Sequence, residues 1–115
     1  KLLNENPDVS SSALNNTSLV IKLVYGDISI LFTGDAEAGT EERLLDKKAD
    51  ISADVIKIAH HGSKTSSGYD FIEQVNPEIA VISVGKNNFG HPSERVVSLL
   101  REKSIRSGRK VFLHL

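Results

Sequence analysis

The 115-residue sequence contains no cysteine. That excludes disulfides, a Cys-ligated zinc and a thiol nucleophile, and it leaves the redox compartment open. A metal bound here would rest on histidine and carboxylate, a donor set that suits zinc, manganese or iron. No stretch approaches the roughly 20 apolar residues of a membrane-spanning helix. No signal-peptide pattern, internal repeat or low-complexity tract stands out. An excess of charge of one sign is also missing: 14 basic and 15 acidic residues leave a net charge of -1. That balance neither demands nor forbids a nucleic-acid partner, because a local patch can be basic when the total is not. A chain that starts on Lys1 rather than Met is read as a processed, tagged or truncated piece.

What remains is an ordinary globular composition, 39% hydrophobic and 25% charged, in a chain long enough for one domain with a modest core. Residues 1–15, with Pro7 and repeated Ser and Asn, read as an N-terminal arm or loop. Ser18 to Tyr25 is β-branched and apolar, hence a strand, and Gly26-Asp27 forms a hairpin turn in which Gly takes a positive φ. Ile28 to Phe32 returns as a strand apolar almost without alternation, so it is expected to be covered on both faces. Ala36 to Lys48 reads as a helix with Leu44 and Leu45 inward, Glu37, Glu41, Glu42 and Arg43 solvated, and Asp35 at its N-cap position.

A strand over Asp54 to Ala59 follows, then a helix from Gly68 to Val75, ending before Asn76-Pro77. Glu78 to Val84 is a further strand, and Gly85 to Pro92 a polar loop. Ser93 caps a helix running through Glu102, and Lys110 to Leu115 is a last strand. The order β-β-α-β-α-β-α-β predicts a layered α/β sheet. Its polar residues gather after strands, where open α/β sheets carry their sites.

Three places offer chemistry. Asp35 follows Thr33-Gly34 at a strand end, where a carboxylate can face a metal or simply cap the next helix. His60 and His61 end the next strand; in an extended segment they would point to opposite sides, one to ligate and one to hydrogen-bond. Gly62 would let the backbone turn close to a substrate. Ser63, Lys64, Thr65 and Ser66 supply donors for a phosphate or other anion, or form a plain solvated loop. His91, held before Pro92, is either an acid or base facing substrate or a structural element of its loop. His114 is assigned no role. A Ser63–histidine hydrolase pair is set aside, because no Gly-x-Ser-x-Gly elbow or third partner accompanies it.

Taken together, Asn16-Thr17-Ser18-Leu19-Val20, Leu31-Phe32-Thr33-Gly34-Asp35, the run from Ala53 through Ile58-Ala59-His60-His61-Gly62-Ser63, Ala80 to Gly85 and Gly90-His91-Pro92 resemble the metallo-β-lactamase superfamily. Within it they are most similar to the C-terminal hydrolase-like domain of ComEC-type competence (DNA internalisation) proteins. The resemblance covers about residues 15 to 103. It implies that residues 16–115 form the second half of an αββα sandwich, without the upstream His-rich metal motif. It implies Asp35 as the bridging carboxylate, His61 as the last metal ligand with His60 as the alternative, and His91 lining the site as a catalytic residue. Ser63, Lys64, Ser66 and His91 would bind substrate. Asn16 stands near a position where many members keep a histidine ligand.

The implied cofactor is zinc, or manganese, as one or two ions in the intact domain and none in an isolated fragment. The implied partners are DNA, the upstream half of the domain with membrane segments of a bacterial membrane-protein parent, and a second copy through exposed sheet edges. The implied activity is metal-dependent hydrolysis of DNA or another phosphodiester during uptake, with this fragment alone inactive. The competing expectations are a non-catalytic DNA- or protein-binding module and a hydrolase of another ester, such as a lactone.

Overall fold

The eight expected elements occur in the expected order. The computed structural model describes the backbone of residues 18–107 and 110–114 and the side chains of residues 18–104. The elements are β1 (Ile21–Tyr25), β2 (Ile28–Phe32), α1 (Ala38–Asp46), β3 (Val55–Lys57), α2 (Tyr69–Val75), β4 (Ile79–Ser83), α3 (Glu94–Ser107) and β5 (Lys110–His114), with one 3-10 turn over Ala59–Gly62. They form one mixed sheet in the order β1-β2-β3-β4-β5. Gly26, at φ +59°, closes the hairpin that makes β1 and β2 antiparallel. Every later pair is parallel, because a helix crosses over between its two strands. The N-terminal arm and Asn16 lie outside the described residues.

Register sorts the strand residues onto two faces. Leu31, Ile56 and Ala80 are lateral partners, and Ile82 lies two residues on from Ala80. None of these four is more than 3% exposed. They join Leu44 of α1, Phe71, Ile72 and Val75 of α2, and Val96 and Leu100 of α3 in one core cluster, so all three helices serve this face. The opposite face carries Ile21, Leu23 and Tyr25 of β1, paired with Phe32, Ile30 and Ile28 of β2, and then Val55 and Ile79. Here Leu23 is 50% exposed, Tyr25 84% and Phe32 40%. The expectation that β2 is covered on both faces is therefore corrected: within the described residues only one of its faces is covered.

Three local readings also change. Helix α1 starts at Ala38 with Glu37 at the N-cap position, so Asp35 does not cap it. Glu41, expected in solvent, is 4% exposed. The third strand stops at Lys57 because Ile58 and Ala59 lead into the 3-10 turn. By contrast Ser93 does precede α3, and its Oγ accepts the Val96 N–H at 3.3 Å. Helix α2 ends where Asn76 turns left-handed ahead of Pro77.

Candidate functional site

Because β2, β3 and β4 are parallel, the segments that follow them lie at one end of the sheet. Thr33-Gly34-Asp35 leaves β2, Ala59–Gly62 leaves β3, and Val84 to Pro92 leaves β4. Backbone hydrogen bonds tie the three together. The His60 N–H donates to the Gly34 carbonyl at 2.9 Å, and the Ser93 N–H donates to the Gly62 carbonyl at 2.8 Å. Gly62 is required on two counts. Its φ is +81°, and a Cβ there would lie 2.7 Å from Pro92 Cβ.

His60 and His61 are not extended. Their φ/ψ values are 51/44° and 55/27°, the left-handed region, so the expected alternation to opposite sides does not apply. Left-handed backbone at non-glycine residues costs on the order of 1–3 kcal/mol each and persists only where the surroundings enforce it. Histidine tolerates this region better than most residues, and a His-His-Gly run at a strand end carries that signal in the sequence. The turn gathers imidazoles. The His91 ring centroid lies 5.4 Å from that of His60, edge-on, and 6.4 Å from that of His61, with an interplanar angle of 22°. Partial burial, and then the neighbouring His60 and His61, hold His91 below the ordinary imidazole range, which favours its neutral form.

His61 Nδ1 lies 2.7 Å from the Ser83 carbonyl oxygen. A carbonyl only accepts, so Nδ1 carries a proton, and Nε2 is the ring nitrogen left to offer a lone pair. A histidine held this way by its other nitrogen is oriented as metal-ligating histidines are. The loop after β4 is held by one side chain. Asn87 Oδ1 accepts the N–H groups of Phe89 and His91 at 3.0 and 3.1 Å, and Nδ2 donates to the carbonyls of Gly85 and His91 at 2.9 and 2.8 Å. Phe89, 81% exposed, sits with its ring centroid 5.8 Å from that of His91. His61, Lys86, Asn87, Phe89 and His91 thus line an open cleft.

The other expected site residues divide. Asp35 is half-buried at the end of β2, and its N–H donates to Ser18 Oγ at 3.3 Å. Lys64 is exposed. Ser63 and Ser66 are buried, at 5% and 1% exposure. Ser63 Oγ shares a hydrogen bond with Thr65 Oγ1 at 2.9 Å, while Ser66 Oγ finds no partner among the described residues. A zinc or manganese ion would find a suitable donor in His61 and a carboxylate in Asp35. Among the described residues, however, no three His, Asp or Glu side chains gather as a metal site. Catalytic zinc sites ordinarily use three protein ligands. The described residues therefore fit a metal only as part of a ligand set.

No protein-family model matches the sequence. Similarity to curated proteins is clear. The chain is 46% identical over 103 residues to ComE operon protein 3 of Bacillus subtilis, covering 89% of this chain and 13% of that protein. It is 38% identical over 94 residues to competence protein ComA of Neisseria gonorrhoeae, covering 80% of this chain and 14% of that one. The chain resembles one segment of bacterial competence proteins. Recombination protein 2 of Haemophilus influenzae is similar too, 42% identical over 81 residues that are 70% of this chain and 10% of that protein. The chain thus spans 10% to 14% of the length of these relatives.

Sequence reasoning missed the groups that hold the turns. Asn87 was readable only as a turn former. Glu41 sits three residues before Leu44, on the same helical face, but the charges beside it pointed to solvent. Nothing in the spacing marked Arg95 as a ligand of the histidine-bearing loop.

Proposed function

We propose that this segment is the C-terminal half of a metallo-β-lactamase-type hydrolase domain in a ComEC-like competence protein, acting on DNA or another phosphodiester during DNA uptake. The observation that carries the reading is the convergence of His60, His61 and His91 at the end of the sheet that also bears Asp35. The names of two relatives, a competence protein and a recombination protein, agree with a role in transformation. The apolar sheet face that the described residues leave uncovered agrees with a second sheet supplied by the other half.

In this reading Asp35 and His61, with His60 as the alternative, supply part of the ligand set for zinc or manganese. Further ligands come from outside these residues. Such an ion would lower the pKa of a bound water and offset charge on a phosphoryl oxygen. His91, whose neutral form is favoured by its surroundings, faces the cleft as an acceptor for a proton. Lys64 and Lys86, both exposed, attract the anionic backbone. A second reading, a DNA- or protein-binding module without chemistry, is favoured by one observation: the described residues do not assemble three ligands.

The deciding experiment measures bound zinc and manganese, and cleavage of a DNA oligonucleotide, in the intact competence protein carrying this segment. Asp35→Ala and His61→Ala are expected to lower the metal content and to slow cleavage at least 100-fold. Metal content unchanged in both variants would defeat the site assignment. Metal-free protein with DNA binding intact would favour the module.

A further inference from the structure

The loop that carries the histidines is gripped by two opposite charges from two different helices. Glu41 of α1 is 4% exposed. Its Oε2 accepts the Ser67 N–H at 2.6 Å, and its Oε1 accepts the Gly68 N–H at 2.9 Å. Arg95 of α3 takes the acceptors of the same stretch. Its Nη1 donates to the Ser67 carbonyl at 3.2 Å, and its Nη2 donates to the carbonyls of Lys64, at 3.1 Å, and Ser66. Ser67 is held by both charges, through its N–H and its carbonyl, and stands at φ +59°. All five bonds go to backbone atoms, so the clamp fixes the path of the chain and is indifferent to its side chains. Bonds with one ionised partner are roughly twice as strong as neutral ones. Ser66 and Ser67, at 1% and 2% exposure, are shielded from competing water.

From the clamp, hydrogen bonds lead step by step to the histidines. The Ser66 N–H donates to the Ser63 carbonyl at 3.2 Å, the Ser63 N–H to the His60 carbonyl at 2.9 Å, and the His60 N–H to the Gly34 carbonyl next to Asp35. At the start of α1 the Ala38 N–H donates to the Thr65 carbonyl at 3.2 Å, a second tie between that helix and the loop. Two left-handed non-glycine residues in succession relax to ordinary backbone unless both ends of their segment are fixed. Pro92 and the Gly34 carbonyl fix the near end, and Glu41 and Arg95 the far end.

We propose that Glu41 and Arg95 are positioning residues for the His60–His61 turn, acting through the backbone of residues 64–68 to hold the imidazoles against His91. The proposal deepens the reading above only in saying what shapes its histidine cluster, and its test uses neither metal nor activity.

The test is nuclear magnetic resonance on the 115-residue chain with Glu41→Gln, Glu41→Ala, Arg95→Lys and Arg95→Ala. Glu73→Gln serves as the control, since it breaks a surface pair with Lys103 away from the loop. Two quantities are read: amide exchange of residues 63–68, and the His61 signature, meaning its Nδ1–H tautomer and ring contacts with His91. The alanine variants are expected to speed exchange of those amides at least tenfold over the control and to erase the His61 signature. Glu41→Gln, which keeps one acceptor oxygen, should lose less. Arg95→Lys, which cannot span three carbonyls with one ammonium, should resemble alanine. If the alanine variants do not fold, the Gln and Lys variants decide. Fast loop exchange with the His61 signature intact would overturn the proposal, as would loop exchange no faster than in the control.

Discussion

The two faces of the sheet are equally apolar in sequence and unequally treated in structure. Leu31, Ile56, Ala80 and Ile82 lie under three helices, while Ile21, Leu23, Tyr25, Ile28 and Phe32 on the other face are each at least 40% exposed. Parallel strands normally belong to sheets covered on both sides. The open face is thus patterned for a layer that the described residues do not contain, and an apolar patch of this kind marks an interaction surface. The candidate site sits at the rim where the two faces meet. In the proposed reading, that placement explains how described residues with an intact core can supply only part of a ligand set.

The sharpest test of the comparison is on the covered face. Ile56 is 1% exposed and central in the sheet. Ile56→Ala is expected to cost about 2–5 kcal/mol, the transfer term plus the cavity left behind. Urea unfolding of the chain reads it directly. A loss below about 1 kcal/mol would mean that the helices do not close over this face.

The fold was legible because period and punctuation agree. Ile28 to Phe32 was bounded correctly by Gly26-Asp27 and Thr33-Gly34, and Ser93 and Asn76-Pro77 marked the ends of helices where the structure has them. The site was legible only as residue types. That His60 and His61 are candidates follows from their place after a strand, but their left-handed backbone depends on Pro92 packing against Gly62, a contact across some 30 residues of sequence. Glu41 shows the same limit. Thr40, Glu41 and Leu44 share a buried stripe of α1, yet a carboxylate is ordinarily placed in solvent, and the N–H groups that hold it come from residues 67 and 68. What local pattern cannot show is a polar group whose partners are remote backbone atoms.

Glu41 also sharpens the comparison, because it is an ionisable group on the covered side. Burial, the largest influence, raises its pKa above the ordinary 4.5, against the opposing pull of the Gly68 and Ser67 N–H groups and Arg95. The sign follows from linkage. Between pH 4.5 and the raised value the folded chain keeps a proton that the unfolded chain has lost, so this group's contribution to stability is full below pH 4.5 and declines as pH rises through that window. Glu41→Gln should flatten the stability profile there, an effect smaller than that of Ile56→Ala. The measurement is the difference between the two proteins in unfolding free energy across the window. Parallel profiles would mean that Glu41 titrates as an exposed carboxylate does.

The smallest effect is expected on the open face. Leu23 is 50% exposed and faces Ile30 across the β1–β2 pair. In this chain Leu23→Ser should change stability by no more than about 0.5 kcal/mol, since much of the side chain is already in water. If, as we propose, this segment is part of a longer competence protein whose second sheet lies against this face, the same substitution there should cost several times more, because a hydroxyl would then be buried among apolar side chains. The ratio of the two losses is the informative quantity. A ratio near one with both losses small would leave the face exposed in the whole protein and remove the support it lends to the half-sandwich reading. A large loss in the isolated chain, growing with protein concentration, would instead show that a second copy covers the face through β1.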